Sequence, residues 1–157
     1  MEMYEVTKRS IALAGALLLA AAASVPAAEP VGPKLTPKLR DALRQEMAQV
    51  LVASQEIVGA LAIGDHATVA DRAQQIHDSF ILEQALTEQD RQDLEAALPP
   101  EFVELDRGFH ETSAALAAAA GAEDAQQELD AFARMTEACV ACHGRFAADR
   151  FPSLASE

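Results

Sequence analysis

The sequence predicts an all-α protein, an antiparallel up-down bundle of four helices. Three observations carry that expectation. Apolar residues recur at spacings of three and four through four long segments, and no stretch alternates long enough to read as a strand. Glycine and proline fall at the joints between those segments. The chain has 157 residues, and the part after residue 27 is long enough for one core but not two.

The first segment is set apart from the bundle. Lys8 and Arg9 precede an uncharged apolar run from Ile11 to Ala23, and Val25-Pro26-Ala27 offers small residues for cleavage after Ala27. Residues 1–27 therefore read as a secretory signal peptide and 28–157 as a single mature domain. The alternative is an uncleaved anchor, but the run falls short of the roughly 20 apolar residues that a membrane span needs. The signal carries Glu2 and Glu5 against Lys8 and Arg9, so the formal charge of −13 belongs to the mature domain. Such acidity argues against nucleic acid and anionic membrane surfaces as partners. It fits a soluble mature domain outside the membrane.

Thr36 is placed to cap the first helix, with Pro37 in its first turn. Leu39, Leu43, Met47, Val50, Ser54, Ile57 and Leu61 follow as its stripe. Gly64 closes that helix and Asp65 can cap the second, whose stripe is Val69, Ala73, Ile76 and Phe80. Thr87 to Ala97 reads as a short helical connection, with Thr87 and Asp90 at capping-box spacing. Leu98-Pro99-Pro100 interrupts the pattern. The third long helix carries Phe102, Leu105, Phe109, Ser113, Leu116 and Ala120, and Gly121 ends it. The fourth is expected from Glu123 to Asp149, with Leu129, Phe132, Thr136, Cys139, Cys142, His143 and Phe146 on its buried face.

That last helix holds the most specific pattern in the chain. Its two cysteines, the only ones present, stand as Cys139-Val140-Ala141-Cys142-His143. C-x-x-C-H is the attachment signature of c-type haem. Two thiols at this spacing can form thioethers with the two vinyl groups of one porphyrin, and the adjacent imidazole can ligate the iron. Positions i, i+3 and i+4 share one helix face, so all three side chains can address a single flat cofactor. Other readings fit less well. A thiol–disulfide redox pair normally opens a helix after a strand, and a zinc site would need a second pair of ligands. A disulfide between positions this close would constrain little. Phe132 and Phe146 share the motif's stripe and are candidates for ring packing. Haem of this kind is attached outside the cytoplasm in bacteria, so motif and signal support one another.

From Phe109 through the alanine-rich helix end, Gly121, Phe132, the Cys139-x-x-Cys142-His143 motif and Phe146, the chain resembles the cytochrome c-prime family. The resemblance covers nearly the whole mature chain. It implies one covalently attached haem c in a four-helix bundle, with His143 as the proximal ligand. It also implies a periplasmic location, redox partner proteins and electron transfer rather than catalysis. Members can pair through their helices, so a homodimer is open to this chain. Arg44-Gln45 is similar to the family's Arg-Gln pair near the haem propionates, which implies propionate contacts for Arg44 and Gln45.

Two departures from the family stand out. The basic residue expected four positions after the haem histidine is Ala147 here, flanked by Arg145 and Arg150. Arg150, seven residues on from His143, returns to nearly the same helical face and could stand in for that basic residue, although a solvated arginine near a helix end is the plainer reading. On the far side of the iron, the position four after Arg44 is Ala48, and Met47 is one short of it. One residue is about 100° of rotation. Either Met47 is the sixth ligand of a low-spin electron carrier, or Ala48 leaves a pocket open to a small gas such as nitric oxide or carbon monoxide. His66, His77 and His110 read as partly exposed surface residues, and Met135 as lying on the wrong helix to reach across the haem. No catalytic triad, phosphate loop or second metal cluster suggests an enzyme.

Overall fold

The helical reading of the chain holds. The computed structural model describes residues 29–79 and 86–155. Among them there are five α-helices and no strand: α1 Pro37–Ile63, α2 His66–His77, α3 Glu88–Ala97, α4 Pro100–Gly121 and α5 Ala125–Phe146. Short 3₁₀ turns at Gly32–Lys34 and Pro152–Leu154 flank them. The segment expected to be a signal peptide, and Phe80 of the second stripe, lie outside the described residues.

The joints form where local chemistry demands them. Thr36 accepts from the Leu39 amide with Pro37 in the first turn. Gly64 closes α1 in the left-handed region at φ 72°, a conformation costly for any residue with a Cβ. Asp65 then accepts from the Thr68 amide at 3.1 Å and starts α2. Thr87 and Asp90 form the reciprocal capping box of α3. Gly121 is the last residue of α4, but the left-handed turn falls two positions later, on Glu123 at φ 55°. Asp124 then caps α5.

Helix α2 packs against both α1 and α4, and α4 packs against α5. The contact between α1 and α5 is sparse. By length and composition alone α1 is apolar enough to cross a membrane. Its inner residues Val50, Ala53, Ile57 and Ala60 are buried against the other helices, while Leu51, Val52, Val58 and Ile63 are exposed.

The buried residues form two apolar clusters. One gathers Val50, Ala53 and Ile57 of α1, Val69, Ala73 and Ile76 of α2, Leu116 and Ala120 of α4, and Ala131 and Met135 of α5. The other gathers Val31, Leu35, Leu39, Leu94, Leu98, Phe102 and Phe146, with Leu43 and Cys142 against it. Glu46, Asp90, His110, Ser113 and Glu128 are buried alongside these apolar residues.

The last helix differs from expectation in two ways. It stops at Phe146 rather than near Asp149, because Ala147 leaves helical geometry at φ −136° and the chain turns back. Its buried face is Glu128, Ala131, Met135 and Phe146, rotated from the expected stripe. Leu129 is exposed, and Cys139, Cys142 and His143 sit half-buried beside that face. Glu128 is buried against His66, 2.7 Å away, and so occupies a position that composition reserves for an apolar side chain.

Candidate functional site

Helix α5 brings the motif together near its C-terminal end. Cys139 and Cys142 are free thiols, both half-buried. Burial pushes the Cys139 thiol up, and pushes Cys142 up to about 11, with Asp106 and Cys139 adding to the shift. Both effects act against the thiolate. The nearby negative end of the helix dipole acts the same way. A redox or nucleophilic cysteine needs the opposite environment, so these thiols are poorly suited to disulfide exchange.

His143 is half-buried, and burial followed by the charge of Arg150 holds its imidazole pKa below the usual value. The neutral ring is the form that can ligate a metal. Its face lies on Phe151, with ring centroids 4.6 Å apart and an interplanar angle of 18°. Such stacking covers the face but leaves the nitrogens at the ring edge uncovered. Arg150 is not on the helix at all. Its guanidinium carbon lies 5.6 Å from the Phe151 centroid.

Buried polar groups from α1 and α4 lie close to the motif. Glu46 of α1 and His110 of α4 are buried, with His110 Nε2 3.7 Å from Glu46 Oε1 and 3.8 Å from Asp106 Oδ1. His110 Nδ1 lies 2.9 Å from the Ile76 carbonyl oxygen. Contrary to the sequence reading, His110 is therefore a core residue. Asp106 is close enough to Cys142 to raise its pKa. Burial also pushes the Asp106 carboxyl up to about 6, and its Oδ2 is buried with no hydrogen-bond partner. Among the described residues, no group of three or more His, Cys, Asp and Glu side chains could by itself hold a metal ion.

The remaining candidate residues are spread around the core. Met47 is half-buried against the first cluster, as are Phe109 and Phe132. Phe146 is buried in the second cluster, edge-on to Phe102 at 5.4 Å between centroids. Ala48 is exposed and lines a groove between α1 and α2 of about 330 Å³, together with Gln45, Glu56 and Arg72. Arg44 is exposed, 3.6 Å from Asp41. Arg44 and Gln45 are thus on the outside of α1. Of the other histidines, His66 is bonded to Glu128, and His77 Nδ1 lies 3.1 Å from the His110 carbonyl oxygen. Met135 is buried in the first cluster.

The donor set fits a covalently attached haem. Two half-buried thiols and a half-buried imidazole lie together on the border of one helix. The sequence reading missed Glu46, Asp106, His110 and Phe151. Only Glu46 left a signal, a charged residue three after Leu43 and four before Val50. Compared with protein-family models, curated proteins and solved structures, the chain matches none.

Proposed function

We propose that this chain is an exported, periplasmic monohaem c-type cytochrome of the cytochrome c-prime kind, working in electron transfer and not as an enzyme. In this reading α1, α2, α4 and α5 are the four members of an antiparallel bundle. Cys139 and Cys142 carry the haem and His143 is its proximal ligand. Bound there, haem c supplies a one-electron redox centre.

The observation that carries the reading is the environment of the motif on α5. Its thiols are held protonated by burial, against any role as a redox pair. Burial and Arg150 favour the neutral form of its histidine, and the ring face is stacked on Phe151. The protein's own tasks are then to orient the imidazole, to exclude water with Phe132 and Phe146, and to fix the charge around the site. Arg44, and less directly Gln45, are the candidates for propionate contacts.

The opposite wall favours Met47 over an open pocket. Met47 packs toward the core, whereas Ala48 opens onto the groove between α1 and α2. That supports a six-coordinate iron and a redox partner protein over a gas as the physiological ligand. The acidic surface suits a basic redox partner, and the exposed apolar residues of α1 are where a homodimer would form.

A haem stain after denaturing electrophoresis of the exported protein tests the reading directly. A coloured band that Cys139→Ser and Cys142→Ser together abolish is the expected result. A colourless wild-type band from a haem-maturing host overturns it. A ferrous spectrum that shifts strongly with carbon monoxide would instead mark a gas-binding protein.

A further inference from the structure

The chain after α5 folds back rather than trailing into solvent. The amides of Arg150 and Phe151 both donate to the Ala147 carbonyl at 2.9 Å. Leu154 donates to the Phe151 carbonyl at 3.0 Å, and the turn Pro152–Leu154 closes. This turn packs on α5 and comes closest at Gly144. A Cβ added to Gly144 would stand 2.3 Å from the Leu154 carbonyl oxygen and 3.2 Å from its carbon. Gly144 is helical, so its role is to admit another backbone rather than to adopt an unusual angle.

The contact has a result one residue away. With the turn seated on Gly144, Phe151 lies nearly parallel to the imidazole of His143. Offset-stacked rings resist tilting and rotation about the side-chain bonds. The lone pair of an imidazole nitrogen lies in the ring plane, so a stacked neighbour restrains the ring without competing for that nitrogen. Ligating histidines commonly have their orientation fixed by a hydrogen bond from the second nitrogen. Here a stacked ring stands in a position to do that work.

We propose that Phe151, seated by the Gly144–Leu154 contact, is a positioning residue that fixes the plane of the His143 imidazole. The proposal rests on the reading of His143 as an axial ligand. It makes the C-terminal turn part of the cofactor site.

The test uses the exported, haem-loaded full chain and compares Phe151→Leu, Phe151→Tyr and Gly144→Ala by electron paramagnetic resonance of the ferric state. Phe151→Leu is expected to split or broaden the wild-type signal as the imidazole samples several orientations, and Phe151→Tyr to restore it. Gly144→Ala leaves the phenyl group intact but displaces the turn, and is expected to give the same broadening. If Phe151→Leu does not accumulate, Gly144→Ala carries the test. A second readout needs no haem. In the haem-free full chain, the His143 ring-proton resonance should move downfield in Phe151→Leu as the ring-current shift is lost. Haem-loaded variants with unchanged signals, or an unmoved His143 resonance, overturn the proposal alone. A wild-type chain without covalent haem overturns the reading of His143, and the proposal with it.

Discussion

His66 Nδ1 lies 2.7 Å from Glu128 Oε1, joining the first turn of α2 to the first turn of α5. Glu128 is almost wholly buried and His66 about a quarter exposed, so one partner has no access to water in place of the other. Removing the histidine leaves a buried carboxyl group without its hydrogen-bond partner. His66→Ala is expected to lower stability by on the order of 1 to 3 kcal/mol, read as a drop in the urea midpoint. An unchanged midpoint would show that the pair holds nothing together.

Asp106 gives stability a pH dependence of unusual sign. Its folded-state pKa of about 6 stands above the ordinary 3.8, with burial as the cause. Between those values the folded protein binds more protons than the unfolded chain, so stability falls as pH rises through that window. Asp106→Asn should remove the penalty. The variant is expected to be more stable above pH 6 by on the order of 1 to 3 kcal/mol and to match the wild type at the acid end of the window. Thermal melts across the range check both halves.

Asp90 acts in the opposite direction. Lys38 Nζ donates to it at 2.5 Å, and Thr87 donates through its hydroxyl and its backbone amide. These bonds, Lys38 first, hold its carboxyl down at about 2. The stability it contributes is present above the ordinary carboxylate range and is lost as pH falls toward 2. Lys38→Ala should therefore make the protein less stable at neutral pH and flatten its acid-side decline. Thr87→Ala is expected to cost about 1 kcal/mol through the cap alone.

Met47→Ala examines the far side of the proposed haem. The expected outcome is loss of the low-spin ferrous spectrum and gain of carbon monoxide binding. Ala48→Leu, in the groove between α1 and α2, should leave the spectrum unchanged. An unchanged spectrum in Met47→Ala removes that residue as the sixth ligand.

The helix boundaries set by caps were legible because caps act locally. Thr36, Gly64, Asp65 and the Thr87–Asp90 box fix their joints from residues within four positions of one another. The orientation of α5 was not, because its burial is decided by His66, a residue 62 positions away. Counting apolar residues places Leu129 inside and Glu128 outside, and the structure reverses them, with Glu128 bonded to His66. His110 was missed similarly, since its partners come from α1 and from the Ile76 carbonyl of α2. The motif itself was read in full from five consecutive residues. The aromatic ring over His143 depends on a chain reversal, which no periodicity announces.

Helix α1 resembles a beam clamped at both ends. At one end Lys38 and Leu39 tie it to α3 and the second cluster. At the other, Gly64 and Asp65 lock it to α2. Its span between those supports is backed by α2 and barely touches α5. The side of α1 nearest α5 is therefore set before anything occupies the seam. A guest there would meet a preorganised wall and would not have to pay for ordering it.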